Sequence, residues 1–201
     1  MPRSRILVPL AQGFEETEAV ATADVLSRAG VQPVLAHFPG AAPLVTGSHG
    51  FSLEASCSLA DMSPDGFTGI FLPGGTPGTK NLRESREVRD LLVGFHQRGK
   101  LIAAICAAPT VLYHAGLLTG RRVTSHPSLV SLFAGCSYED SPVVVDPPFI
   151  TSRGPGTALL CGLTIVACLR GPKAADDLAA AMVTSIPEGL RMEWDRWGLT
   201  S

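Results

Sequence analysis

Apolar residues fall into short unbroken runs along this chain, separated by longer stretches with helical spacing. The runs are Ile6–Pro9, Val34–Phe38, Gly69–Leu72, Leu101–Ile105, Val143–Val145 and Phe149–Thr151. Strands without polar alternation are buried on both faces, as in a parallel sheet covered by helices on each side. Helices are predicted over Glu15–Ala29, Glu84–Arg98, Pro109–Ala115, Gly156–Leu169 and Ala174–Ser185. Strand–helix alternation of this kind predicts an α/β fold, a doubly wound sandwich with a mostly parallel sheet. Ala29-Gly30, with Pro33 just beyond, ends the first helix. Pro39–Leu59 is rich in Gly, Ser and Pro and predicts a small hairpin arm. One domain is expected over residues 1–186, and residues 187–201 form an extension. Pro187 and Gly189 break the preceding helix, while Leu190, Trp194 and Trp197 keep i, i+4, i+7 spacing. The extension is therefore expected to be a short docked helix.

Composition narrows the partners. With 45% hydrophobic and 17% charged residues over 201 positions, the chain is globular. A formal net charge of −2 gives no reason to expect nucleic acid or an anionic membrane as a partner. No apolar run approaches the ~20 residues of a membrane span. The start, Met-Pro-Arg-Ser-Arg followed by the short run Ile6–Leu10, does not resemble a secretory signal, and a cytoplasmic location is expected. The five cysteines, Cys57, Cys106, Cys136, Cys161 and Cys168, are odd in number and hold no CxxC pair. That fits neither a disulfide framework nor a zinc site. Cys161 and Cys168, seven apart in an apolar helix, are expected in the core.

Ligands of doubly wound sheets bind beyond the carboxyl ends of the strands. Three segments stand there: Gln12–Glu18, Pro73–Gly78 and Ile105–Pro109. In Leu101-Ile-Ala-Ala-Ile-Cys106-Ala-Ala-Pro109 a buried strand runs into a cysteine, and a helix starts at once. A nucleophile elbow has this form, and it would set the sulfur over helix N–H groups that favour a thiolate. A buried structural cysteine at a strand end is the alternative. In Leu72-Pro-Gly-Gly-Thr-Pro-Gly78, Gly74 and Gly75 let backbone amides turn toward a ligand and hold an oxyanion. An ordinary turn stays open, whereas a phosphate loop would need a Lys-Ser/Thr ending that is absent. Glu15 and Glu18 share a helix face with Glu16 rotated away, and a carboxyl on the inner face is suited to proton transfer. His126, in Val123-Thr-Ser-His-Pro127, is placed to assist a thiolate or simply to pack. His37, His49, His96 and His114 show no metal-ligand spacing.

Taken together, the motifs resemble the ThiJ/PfpI superfamily, in the branch of the Parkinsonism-associated protein deglycase. The matching stretches are Gly13–Glu18, Leu72–Gly75, Asn81–Ser85, Leu101–Cys106, Val123–Pro127 and Thr151–Thr157, in the family's order. The resemblance implies a flavodoxin-like sandwich and a homodimer. It implies a reactive Cys106 with protonated Glu18 donating to its sulfur, His126 nearby, and Gly75 and Ala107 amides in the pocket. Gly154 and Pro155 would supply a wall. A loop arginine that approaches the pocket in some relatives stands here as His49, and many relatives have Gly where this chain has Ala108.

The activity implied is cofactor-independent conversion of α-dicarbonyls, such as methylglyoxal to lactate, or removal of their adducts from proteins and small molecules. A second reading is a redox sensor or chaperone governed by Cys106 oxidation. A cysteine protease is disfavoured, because protease branches place His directly after the nucleophile and Ala107 stands there.

Overall fold

The computed structural model describes residues 4–198. Strand β1 (Arg5–Leu10) leads through α1 (Glu16–Arg28) to β2 (Gln32–His37). A hairpin of β3 (Leu44–Thr46) and β4 (Ser52–Glu54) follows, then the two-residue β5 (Cys57–Ser58). Next come β6 (Gly69–Leu72), α2 (Thr76–Glu84), α3 (Arg86–Gln97), β7 (Leu101–Ile105) and α4 (Pro109–His114). Strands β8 (Arg122–Val123) and β9 (Ser137–Tyr138) form a small separate ladder. The chain then runs through β10 (Val143–Asp146), β11 (Phe149–Ser152), α5 (Ala158–Arg170), α6 (Pro172–Ala181) and α7 (Glu188–Asp195).

Seven strands form the central sheet in the order β10-β11-β7-β6-β1-β2-β5. Every pair is parallel except β10 with β11. Side chains alternate across the sheet, so the same strands feed two cores. Ile6, Val8, Phe71, Ala103 and Ile105 face α1, α5 and α7. Leu7, Ile70, Leu72, Ile102 and Ala104 face the other way, toward α3 and α4. Both faces are covered, which is why the strands read as unbroken apolar runs. The same covering hides the antiparallel direction of β10: its Val143, Val144 and Val145 are all buried and show no alternation.

Chain order leaves β1 toward β2 on one side and toward β6 on the other. The switch point therefore lies between β1 and β6, where a ligand is expected.

Two predicted helices needed correction. The helix predicted over Glu84–Arg98 is α3, which begins only at Arg86 because Ser85 ends the unpredicted α2 in extended backbone and caps α3 by accepting from Val88 N–H at 3.1 Å. The last predicted helix starts at Pro172 and stops at Ala181, with Val183 in left-handed backbone at φ 55°. The hairpin arm is as expected. The extension does dock. Leu190 and Trp194 are buried, and Trp194 Nε1 donates to Thr164 Oγ1 of α5 at 3.2 Å. Glu193 accepts from Val145 N–H at 2.9 Å and pairs with Arg122 at 2.8 Å. Residues 199–201 of the extension lie outside the described residues. Among those residues no helix is long and apolar enough to cross a membrane.

Candidate active site

Cys106 follows β7 with φ 64°, a left-handed conformation that disfavours any residue with a Cβ. Three hydrogen bonds hold it there. Its N–H donates to Ser152 O of β11 at 2.9 Å, and its carbonyl accepts from His126 N–H at 2.9 Å. Ala108 N–H closes the turn on Ile105 O at 2.9 Å. The elbow predicted from sequence is thus held by β11 and by the loop that carries His126.

Glu18 lies on the first turn of α1 and is fully buried. Glu15 is the helix cap, its Oε2 accepting from Glu18 N–H at 2.7 Å, so the carboxyl is aimed by its own backbone. Glu18 Oε2 accepts from Gly74 N–H at 2.7 Å. Its Oε1 is buried with no nitrogen or oxygen partner, and the carboxyl group faces the Cys106 sulfur. A Cβ at Gly74 would sit 2.7 Å from both Cys106 Cβ and Glu18 Oε2. Only glycine lets the three segments close on one another.

Burial pushes the Glu18 carboxyl up to about 7, against the pull of the Gly74 and Cys106 hydrogen bonds. Burial also pushes the Cys106 thiol up to about 12, helped by the charge of an ionised Glu18 beside it. The Ala107 and Gly75 amides pull it the other way. The carboxyl of Glu18 and the thiol of Cys106 therefore titrate as one coupled pair. The pair loses one proton near 7 and holds the second until about 12. In between it carries one negative charge, as thiol with carboxylate or as thiolate with carboxylic acid. Two amides aimed at the sulfur favour the second form.

The sulfur opens into a pocket of about 450 Å³. Cys106, Ala107 and Thr110 form its floor, His126, Leu129 and Leu132 one wall, and the exposed face of α2 the other. His126 is exposed, and its Nδ1 meets Ser128 Oγ at 2.8 Å and accepts from Ser128 N–H at 3.3 Å. Its backbone braces the elbow. Gly154 borders the ring, since a Cβ at that position would lie 3.8 Å from His126 Cδ2, while Pro155 is exposed and outside the pocket walls.

Two expected substrate contacts, Glu15 and His49, stand elsewhere: Glu15 is occupied as the cap of α1. His49 does not line the pocket; its Nδ1 meets Glu16 Oε2 at 2.9 Å and its N–H donates to Glu16 Oε1 at 2.7 Å. Glu16, rotated away from the Cys106 site, is buried under the hairpin and also accepts from Phe51 N–H at 3.3 Å. Burial would raise its carboxyl, yet the His49 hydrogen bonds prevail and hold it at about 2. Sequence reasoning missed the α2 wall, Thr76, Thr79, Lys80 and Arg83, because Pro77-Gly78 reads as a turn. Their i, i+3, i+4, i+7 spacing after Gly75, with Pro77 in the first turn, was the available signal.

Comparison with known proteins agrees with this geometry. The sequence profile of the DJ-1/PfpI family matches residues 4–168. Protein dj-1beta of Drosophila melanogaster is 41% identical over 181 residues, covering 89% of this chain and 96% of that protein. Its crystal structure superposes with a TM-score of 0.87, covering 92% of this chain and all of the other. A Pyrococcus abyssi protein named a deglycase is 32% identical over 154 residues, or 76% of this chain and 91% of that protein. An oxidized Toxoplasma gondii DJ-1 superposes with a TM-score of 0.87 at 32% identity, covering 91% of this chain and 100% of that one.

Proposed function

The chain belongs to the DJ-1/PfpI family, and from that membership we propose that it is a cofactor-independent enzyme acting on reactive α-dicarbonyls or their adducts. The observation that carries the reading is the buried Glu18 carboxyl, set against a cysteine sulfur at the mouth of a pocket. The deglycase name of the Pyrococcus relative supports it.

The Cys106 thiolate adds to the aldehyde carbon, a C–S bond forms, and the aldehyde oxygen takes the proton held by Glu18. The Glu18 carboxylate then removes hydrogen from that carbon and returns it, by way of an enediol, to the neighbouring carbonyl carbon. Amides of Gly75 and Ala107 stabilise negative charge as it develops. Water cleaves the resulting thioester, releasing a 2-hydroxy acid and the thiolate. Methylglyoxal and water thus give lactate and a proton. His126 orients the substrate from the opposite wall. Wild type is expected to form lactate from methylglyoxal and Cys106→Ser to fall to background, measured with lactate dehydrogenase. Equal lactate from the two proteins overturns the reading.

A second reading rests on the same sulfur. Cys106 is partly exposed, as are Cys57 and Cys136, while Cys161 and Cys168 are buried; the Ala107 and Gly75 amides aimed at its sulfur make Cys106 the one that peroxide would convert first to sulfenic and then sulfinic acid. The oxidized Toxoplasma relative favours this as an accompanying role. Five unpaired cysteines suit a reducing compartment such as the cytoplasm.

We also propose a homodimer. Val20 and Phe51 are exposed apolar residues near Glu16, one a helical turn along α1 and the other held to its carboxylate. They give a surface for a second copy. Light scattering is expected to report twice the 21.0 kDa chain mass; the mass of a single chain at micromolar concentration refutes it.

A further inference from the structure

The pocket at Cys106 is charged on one side only. Thr76, Thr79, Lys80 and Arg83 line it from α2 at helical spacing, so one face of this helix is turned toward the opening. Lys80 and Arg83 are both exposed. Among the described residues neither forms an ion pair, whereas the next basic residue, Arg86, pairs with Asp90. His126 adds a third donor from the opposite wall. Its Nδ1 accepts from Ser128 N–H, which puts the ring proton on Nε2. Among the described residues no carboxylate lines the pocket. Glu18 lies buried against Cys106.

Such an arrangement raises the local concentration of anions and holds them once bound. Taking Gly75, whose amide is aimed at the sulfur, as the origin, Lys80 stands five residues along α2. At ~1.5 Å rise per residue that is roughly 7.5 Å along the helix from the amide that marks the sulfur. A substrate bonded to Cys106 at its aldehyde end would therefore reach the cations only if it extends a few atoms further.

We infer that the preferred substrates of this site are dicarbonyls carrying an anionic group, carboxylate or phosphate, a few atoms from the aldehyde. Lys80 and Arg83 bind that group. The inference deepens the dicarbonyl reading and rests on it for the reaction, while the charge selection can be tested separately.

The test compares kcat/KM for three 2-oxoaldehydes: neutral 2-oxopentanal, 4,5-dioxopentanoate with its carboxylate at the far end of the same five-carbon chain, and 3-phosphooxy-2-oxopropanal. Wild type is expected to prefer at least one anion over the neutral compound by roughly tenfold, as a charge-assisted contact supplies. The ratio should fall toward one in Lys80→Gln/Arg83→Gln and in high salt. Which anion gains more identifies the group the site was built for. Alkylation of Cys106 gives a reading that needs no turnover. The rate ratio of iodoacetate to iodoacetamide, followed by mass spectrometry, should exceed that of a small free thiol and drop in the double variant. Turnover with no preference for either anion overturns the proposal while leaving the dicarbonyl activity standing. No turnover of any dicarbonyl, with the alkylation bias present and removed by the double variant, overturns the activity but supports the anion site. Absence of both overturns both.

Discussion

Glu18 is the residue on which the site's chemistry turns, and its environment sets a measurable dependence on pH. The pair it forms with Cys106 gives up its first proton at about 7 in the fold, where an exposed carboxyl does so at 4.5. A raised carboxyl contributes fully to stability only below the unfolded value. That contribution is lost as pH rises through 4.5 to 7, where the folded protein must bury a charge. A shift of this size corresponds to about 3 kcal/mol. Glu18→Gln can keep the Gly74 hydrogen bond while removing the charge. Thermal melting is expected to show the variant more stable than wild type at pH 8, with the difference vanishing by pH 4. A variant no more stable at pH 8 would mean that Glu18 ionises freely. The same variant should lose dicarbonyl turnover by ~10²-fold or more, since an amide cannot exchange the proton. Near-wild-type turnover would remove Glu18 from the proposed role. Cys106 and Glu18 were legible in the sequence because each follows a recognisable strand end. Their mutual contact was not, since it depends on Gly74 bringing a third loop between two residues far apart along the chain.

At the scale of elements, what could be read was decided by burial. Strands covered on both faces announced themselves as apolar runs, and so did α5, which is apolar almost all round and packs against α1. Gly162 in α5 would bring a Cβ to 2.9 Å from Val25 Cβ, so the two helices meet at close range. Elements positioned by a single polar contact could not be read. α2 hides behind turn-forming residues, and the hairpin β3–β4 is tied to α1 through Glu16, which lies a long way back in sequence. Glu16→Ala should free that hairpin. The part-buried N–H groups of His49 and Phe51 would lose their acceptor, costing roughly 1 kcal/mol in melting experiments. Their amide hydrogens should exchange faster, while those of β1 and β7 should not. Unchanged exchange at His49 and Phe51 would show that the strands hold the hairpin without Glu16. In wild type the tie depends on an ionised carboxylate, so its contribution is present above pH 4.5 and fades as pH falls toward 2.

For the molecule as a whole, the extension after Pro187 is the part whose docking the sequence left open. The spacing of Leu190 and Trp194 announced an apolar face but carried no address. The address is α5 and β10, reached by Trp194 at Thr164 and by Glu193 at Val145 and Arg122. Trp194 is 1% exposed, and a buried indole removes ~150–250 Å² of surface from water. Tryptophan emission in the full chain should therefore be blue-shifted. A chain ending at Ser185 should keep its far-UV dichroism, melt several degrees lower and bind an apolar-surface dye. Red-shifted emission in the full chain, with no dye binding after truncation, would show that α7 does not pack.

The hydrogen bond from Val145 N–H to Glu193 has a meaning beyond holding the helix down. β10 is the last strand of the sheet on its side, and an outer strand with free amides is a template on which another extended chain can add. A carboxylate placed on one of those amides, carried by a helix laid along the strand, acts as a stopper. In Glu193→Ala the stopper is gone although most of the helix contacts persist. Such a protein should fold and then slowly assemble through its exposed rim, a hazard that the short, distant β5 does not share.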